Sequence, residues 1–532
     1  MGTEEVLVEE EKMVELISVR RALVSVYDKS GLEVLAEILK KHSIAVLSTG
    51  KTLEILGKLG VSVQSVAEYT GSEEILDGRV KTLHPKLFAG ILARRDKAEH
   101  STTMKKQGWE SIDLVVVNLY PFEATAQKAG VTEEEAIENI DIGGPSLLRA
   151  AAKNYESVTV ITDPADYEQL GQELKTNGGA ASLEFRRNCS HRVFALTSRY
   201  DRLITEYFSR TEAEAARDDL PQAIRLELSK KQALRYGENP HQKGALYSAG
   251  EGWGVDSFEI LGAKELSYNN LRDLNAALKL AAEFEKPFVG ILKHTNPCGA
   301  AAGSTLAAAY RDAYDCDPLS AYGGIVGLNQ KVDLATAKFL DESPFLECIL
   351  APDYETEALE ILLQKKNRRV VACRNWKSRG SGLRLYHLEG AFLAETVDSG
   401  VSTKNDLQVV SKRKPSNEEI ESLLFAEKVA KHTHSNAIVL AASLKTVGIA
   451  GGITSRVDAV WLALYKAGNR AKGSVLASDA FFPMPDGVEK AAAGGVVAVL
   501  APSGSKKDAL VIAAADRANI SLVFSSQRHF RH

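Results

Sequence analysis

Residues 21–66, RALVSVYDKSGLEVLAEILKKHSIAVLSTGKTLEILGKLGVSVQSV, constrain the fold more than any other stretch of the chain. The short apolar runs ALVSV and IAVLS have strand length, and LEVLAEILKKH between them places apolar residues at helical spacing. Strand, helix, strand, helix, strand in succession predicts a parallel sheet covered by helices. DLVVVNLYPF at 113–122 predicts another buried strand ending in a loop; TEEEAIENI and SLLRAAAKN predict helices, and SVTVIT a further strand.

Within this region AVLSTGKT, at 45–52, has the outline of a nucleotide-binding P-loop. Ala45, Val46 and Leu47, however, continue the apolar run begun at Ile44, which leaves only Ser48–Thr52 for a turn. The string satisfies the pattern and fails its geometry. It is read as a short phosphate turn, with hydroxyls and helix N-terminal amides facing the anion.

A length of 532 residues suits about two to four domains. The polar segment RTEAEAARDDLPQ at 210–222 is the boundary candidate, giving an acidic extension at 1–18 and domains at 19–215 and 216–532. Beyond the boundary FVGILKH, GGIVGL, RVVAC, NAIVLAA and GGVVAVLAP alternate with helical runs, so the C-terminal part is also expected to be α/β. Residues 374–405 are expected to form an irregular surface excursion. ILKHTNPCG at 291–299 echoes VAKHTHSNA at 429–437 and suggests two related subdomains.

A net charge of -5 gives no global basic field for nucleic acid. No apolar run approaches the length of a bilayer span. The acidic N-terminus does not resemble a secretory signal or transit peptide, and a cytoplasmic location is expected. The five cysteines include no Cys-x-x-Cys pair, which argues against a disulfide framework. NPCGAA at 296–301 evokes the zinc deaminases, but Ala301 stands at the second ligand position and no His-x-Glu precedes it, so no metal is predicted.

Two groups of residues could carry chemistry. In the N-terminal part, GRVKTLHP offers Arg79, Lys81, Thr82 and His84, a mix of cations and a hydroxyl suited to a phosphate. NLYPF adds Asn118 and Tyr120 after a strand, where α/β folds place ligand loops. NIDIGGPSLLRAAAKN adds Asp141, Gly143 and Gly144 at a helix start, and Lys153 further along. In the C-terminal part, LRYGENPHQ contains Arg235, Tyr236, Asn239 and His241 among turn formers, and KELSYNN contains Asn269 and Asn270. Lys293 and His294 stand where an apolar strand ends; the neighbouring charge favours a neutral imidazole able to accept a proton. Taken singly, each group is as compatible with a solvated loop or a strand-end hydrogen bond.

Taken together and in order, SVYDKSG, STGKT, LDGRVKTLHP, VVVNLYPF, ENIDIGGPSLLRAAAKN, LRYGENPHQ, KELSYNNL, KHTNPCG, DPLSAYGG, SNAIV, SDAFFP and RHFRH resemble the bifunctional purine-biosynthesis family. That family joins phosphoribosylaminoimidazolecarboxamide (AICAR) formyltransferase to IMP cyclohydrolase. The resemblance runs from about Arg20 to His532. It implies an N-terminal methylglyoxal-synthase-like parallel-sheet domain and a C-terminal transformylase of two cytidine-deaminase-like subdomains lacking zinc. It also implies two reactions: 10-formyltetrahydrofolate formylates the 5-amino group of AICAR, and the product, FAICAR, closes to IMP with loss of water. A homodimer with the transformylase site at the subunit interface is implied too, with no nucleic-acid or membrane partner.

Carried over residue by residue, the resemblance implies a cyclohydrolase group of Lys81, Tyr120, Asp141 and Lys153. Substrate contacts are implied at Ser25, Lys29, Ser48, Thr49, Gly50, Lys51, Thr52, Arg79, Thr82, Asn118 and Gly143. Lys293 and His294 match the transformylase pair: His294 takes the amine proton, and Lys293 stabilises the formyl oxyanion or protonates the leaving folate nitrogen. Arg235, Tyr236 and Arg528 match contacts to the substrate phosphate and carboxamide, and Asn270, Asn436, Phe481 and Asp486 match positions near the amine or folate. Three positions depart from the family pattern: Tyr27 replaces a serine, Lys51 a glycine, and Ile453 a glutamine on the folate side. The last leaves open a relative whose cyclohydrolase works beside a weakened transformylase. A nucleotide-sensing regulatory module is the alternative outside enzymes.

Overall fold

The computed structural model describes residues 16–532 apart from 77, 127, 129, 217–219, 251 and 376–381, and only the backbone of 210–216. The chain divides into two compact units, Met1–Asp218 and Asp219–His532.

The first unit is built on five parallel strands in the order Val63–Ser65, Ala45–Ser48, Arg21–Val26, Leu114–Asn118, Thr159–Ile161. The sheet expected from the alternating pattern is therefore present. Its strand order reverses beside Arg21–Val26, which opens a crevice at the carboxyl ends of that strand and Leu114–Asn118. Helix Leu32–Lys41 turns Leu32, Leu35, Ala36 and Leu39 onto the sheet. Truncating a fully buried residue such as Leu35 to alanine costs about 2–5 kcal/mol.

Two expectations change here. Leu16–Ser18, placed in an acidic extension, form a strand antiparallel to Ala180–Ser182; the extension's residues 1–15 lie outside the described residues. The polar boundary segment begins as helix, because Leu183–Ala216 continues through its alanines, glutamates and arginines, all good helix formers.

The second unit carries one mixed sheet of twelve strands assembled from two copies of the same element order. The first copy runs helix Tyr268–Ala281, hairpin Phe288–Lys293 with Asn296–Ala302, helix Leu306–Tyr314, and parallel strands Ile325–Leu328, Cys348–Ala351 and Arg369–Ala372. The second runs helix Asn417–Lys431, hairpin Ile438–Ala442 with Lys445–Ala450, helix Arg456–Ala467, and parallel strands Val475–Ser478, Ala498–Pro502 and Ser521–Ser525. Both hairpins carry a register shift at the same place, Ile291/Leu292 and Leu440/Ala441. Gly299 and Gly448 mark the repeat most sharply. A Cβ on Gly299 would lie 1.9 Å from the Ala313 carbonyl, and one on Gly448 2.3 Å from that of Ala463. Each helix thus approaches its hairpin backbone as closely as only glycine permits.

The Lys-His-Thr echo is not this repeat. Lys293–Thr295 end a strand and turn a hairpin, whereas Lys431 closes a helix with His432 and Thr433 behind it. The halves meet where Ala301 pairs with Lys445, and the Thr446 hydroxyl accepts from the Ala300 amide (2.9 Å) and donates to its carbonyl (3.1 Å). Part of the excursion expected to be irregular is a regular hairpin, Leu383–Leu388 with Ala391–Thr396.

Candidate active sites

In the first unit the loops after Val26, Ser48 and Asn118 lie side by side, because their strands are parallel neighbours. Several hydroxyls expected to face a phosphate brace the backbone instead. Ser48 Oγ donates to the Val24 carbonyl (2.7 Å) and Thr52 Oγ1 to that of Val26 (3.1 Å). Ser25 Oγ and Thr49 Oγ1, 3.4 Å apart, are the pair left at the turn. Thr49 precedes helix Gly50–Lys58 without capping it by a side-chain hydrogen bond, so the first amides of that helix present an anion site. Lys51 is exposed in the first turn. Lys29 donates to the Val26 and Tyr27 carbonyls; burial lowers its pKa first and the Lys51 charge lowers it further, against the pull of Asp28. Two ammonium groups thus crowd one turn, a field suited to a dianion.

Asn118 is a brace rather than an open ligand. Its Oδ1 accepts from the amides of Tyr27 (2.5 Å) and Asp28 (2.9 Å), and its Nδ2 donates to the Asp28 carbonyl (3.1 Å). The loop so fixed sets the Tyr27 ring edge-on to Tyr120, with centroids 5.1 Å apart.

Asp141 sits at the start of helix Gly143–Lys153 and accepts from the Gly144 amide at 2.8 Å. Burial raises its pKa, opposed by hydrogen bonds from the amides of Gly144, Tyr120 and Gly143. A Cβ on Gly144 would meet Asp141 Oδ2 at 2.4 Å, and one on Gly143 would meet the buried Thr82 Oγ1 at 3.1 Å. Tyr120, Asp141, Gly143 and Thr82 therefore converge. Lys81 is held 2.8 Å from Glu74, and Arg79 pairs with Glu138. Lys153 is not brought to this group: it is exposed at the far end of its helix, about 15 Å along the axis from Gly143. Sequence reasoning missed Glu74 and Tyr200, whose hydroxyl accepts from the Asp141 amide at 2.8 Å.

In the second unit Lys293 ends its strand and His294 and Thr295 form the hairpin turn, both left-handed with φ of 52° and 63°. Such turns favour Asn and Gly, so two other residues here are strained. Their neighbours hold them. The Thr295 amide donates to Asp273 Oδ1 (2.6 Å), Thr295 Oγ1 lies 3.1 Å from His434 Nε2, and the His434 amide donates to Asn296 Oδ1 (2.9 Å). Lys293 Nζ donates to the Tyr322 carbonyl at 2.6 Å, and the His294 ring is exposed. His434, also missed, is kept toward the neutral form by burial and by Arg531, Arg272, Arg384 and His532.

Asn270 does not open onto this site. It is buried, closes a capping box with Ser267, and donates to Glu347 Oε1 at 2.9 Å. Arg235 lies over the Tyr236 ring, 5.7 Å from its centroid, on a loop tied through Glu238 to Asn269 and Arg272 of the helix that also supplies Asp273.

A cleft of about 370 Å³ in the second half brings together Asn436, Phe481 and Asp486 with Arg456, Met484 and Phe530. Lys293 and His294 are not part of its wall. The Asn436 amide is fully engaged, donating to the carbonyls of Ile453 (2.8 Å) and Thr454 (3.1 Å) and accepting from Arg456 (2.6 Å). Arg456 also binds the fully buried Asp479 at 2.5 Å. Asp486 opens helix Asp486–Ala493 and accepts from the Gly487 amide (2.8 Å). Arg528 stacks over Phe530 at 4.7 Å. The Ile453 side chain packs on the apolar core of this half. Among the described residues no group of three or more His, Cys, Asp or Glu is arranged to hold a metal. The Cys298 thiol instead donates to the Ile291 carbonyl.

Comparison with known proteins bears on both units. The family model for the AICARFT/IMPCHase bienzyme matches residues 151–466, and that for the MGS-like domain matches residues 31–146. A protein of Sorangium cellulosum named bifunctional purine biosynthesis protein PurH is 49% identical over 532 residues, covering 97% of this chain and 100% of the relative. Proteins of the same name from Magnetococcus marinus and a Thermoanaerobacter species are 45% and 46% identical, cover 97% and 96% of this chain, and are themselves covered in full. The chain belongs to the AICARFT/IMPCHase bienzyme family.

Proposed function

We propose that this chain is a bifunctional enzyme of purine biosynthesis that formylates AICAR and closes the product to IMP, its two units dividing the steps. The observation that carries this reading is full-length similarity to PurH proteins in a chain whose two units each present a polar site of their own.

In cyclisation the carboxamide nitrogen attacks a formyl carbon tethered to the same ring, so proximity already supplies much of the acceleration. Asp141, its pKa raised by burial, is placed to hold or deprotonate the carboxamide. Lys81 and Tyr120 stabilise the developing oxyanion, after which water leaves. Ser25, Thr49, Gly50, Lys51 and Lys29 receive the phosphate. Thr82, Gly143 and Arg79 support that pocket. Lys153 stands apart from it within one chain.

In formyl transfer the 5-amino nitrogen attacks the formyl carbon of 10-formyltetrahydrofolate. His294 takes the amine proton, and Lys293 stabilises the oxyanion or protonates the departing folate nitrogen. Arg235, Tyr236 and Arg528 bind the AICAR phosphate and carboxamide, while Asn436, Phe481 and Asp486 shape the folate side; Asn270 supports from beneath. A homodimer sharing this site accounts for the exposure of Leu319 (88%), Tyr322 (60%), Trp461 (53%) and Tyr465 (72%), since Lys293 bonds to the Tyr322 backbone. Five free, buried cysteines suit a cytoplasmic location.

The test uses the full chain. His294→Ala is expected to lower formyl transfer by about 10²–10⁴-fold while cyclisation of supplied FAICAR continues. Loss of both activities in a folded variant contradicts the division.

A further inference from the structure

The C-terminal RHFRH segment contains one residue with no part in the chemistry above. His529 is 2% exposed, between the cleft residue Phe530 and Arg528. Its Nδ1 lies 2.8 Å from Asp398 Oδ2, on the segment that follows the Leu383–Thr396 hairpin. Its Nε2 faces Glu427 Oε1 of helix Asn417–Lys431 at 4.0 Å and makes no closer polar contact. The His529 amide donates to the Asp479 carbonyl at 3.0 Å, and Asp479 is the carboxylate that holds Arg456 in the cleft wall.

Both carboxylates are themselves positioned. Glu427 is buried and accepts from the Ser402 hydroxyl (2.7 Å) and amide (3.3 Å). Burial pushes the Asp398 carboxyl up, but the His529 hydrogen bond and the charges of His529 and Lys431 bring it below its ordinary value. The tail is further tied by Arg531, whose guanidinium donates to the His432 carbonyl at 2.5 Å and whose main-chain carbonyl accepts from the Ser435 amide at 2.9 Å.

We propose that His529 is a positioning residue for formyl transfer: paired with Asp398 and facing Glu427, it fixes the tail that carries Phe530 in the cleft wall and Arg528 stacked over the Phe530 ring. This rests on the assignment of formyl transfer to the second unit. Arg528 and Phe530 are exposed on either side of the buried His529, so one buried side chain anchors two outward ones. A displacement of about 1 Å in such a support costs up to about 100-fold in the reaction it serves.

The experiment compares the unmodified full chain with His529→Gln, Arg528→Ala and the double variant, measuring formyl transfer and FAICAR cyclisation on each. His529→Gln is expected to raise the KM for AICAR about tenfold with kcat within about twofold, and to leave cyclisation unchanged. Adding Arg528→Ala should then change KM little further, because both act through one contact. An unchanged KM, or effects of the two substitutions that multiply, overturns the proposal while leaving the functional assignment intact. Absence of formyl transfer in the unmodified chain overturns both. If His529→Gln does not fold, Asp398→Asn at the half-exposed end of the bridge gives the same readings, and an unchanged KM there counts equally against it.

Discussion

At the hairpin turn of the first half stand His294 and Thr295, both left-handed, with the imidazole exposed; at the same turn of the second half stand Ser443, left-handed, and Leu444, packed into the core. The contrast recurs behind the next helix. In the first half Leu306 opens the helix and Asn329 follows the strand, its amide committed to the backbone of Phe288, Phe284 and Lys286 at 2.8 Å each. In the second half Arg456 and Asp479 take those places as a buried ion pair, and a cleft opens beside them. The loop before the helix is 303–305 in the first half and the longer 451–455, which includes Ile453, in the second. One copy strains two residues of its turn and the other one, at about 1–3 kcal/mol for each left-handed residue, while the second copy alone accepts a buried charge pair at these places.

The sharpest way to break this comparison is at the charge pair. Asp479→Ala is expected to cost about 3–5 kcal/mol because it leaves Arg456 buried and unpaired, whereas Asn329→Ala should cost about 1–3 kcal/mol. Urea denaturation of each variant reads the difference, and equal costs would show that the halves are supported alike.

Next is the ion pair across the seam. Glu283 belongs to the first half, Lys431 and His432 to the second, with contacts of 2.9 and 3.1 Å. Burial pushes the Glu283 carboxyl up, but those two partners pull it to about 2. Burial itself favours neutral His432, so Lys431 is the lasting charge. A lowered acid pKa stabilises the fold above about 4.5 and loses that effect as pH falls toward 2, amounting to about 3 kcal/mol. Of this, about 2 kcal/mol falls between pH 5 and pH 3, which denaturation at the two pH values should read, and Glu283→Gln should shrink the gap.

Ile453→Gln should lower stability by about 1–2 kcal/mol through lost apolar packing. If this side of the cleft receives folate, the folate KM should fall about threefold. Smallest is Ser443→Gly, expected to raise stability by about 1 kcal/mol without touching formyl transfer. His294→Gly should gain similar stability and lose that activity, so equal kinetic effects would erase the distinction between the turns.

The parallel sheet of the first unit was legible because apolar runs and helical spacing alternate without interruption from Arg21 to Val66. The duplication is implied by the family resemblance, but the Lys-His-Thr echo beside it matches only by letter, while the true register rests on Gly299 and Gly448, whose meaning is a backbone distance. Side-chain direction was the other gap. Ser48, Thr52, Asn118 and Asn270 are polar residues beside ligand loops, and each turns inward to a backbone group or a cap that sequence does not display. His434, Tyr200 and His529 were missed because their partners come from distant segments.

The seam at Ala301 and Lys445 has a consequence for turnover. It is a strand pairing inside one continuous sheet, locked by Thr446 on both backbone groups of Ala300, so the halves have no hinge between them. Opening one half from the other would tear a β-ladder, an event on the scale of unfolding rather than of breathing. The His294–Thr295 turn and the cleft beside Arg456 are therefore held on one continuous sheet, and adjustment between them falls to side chains and the C-terminal tail.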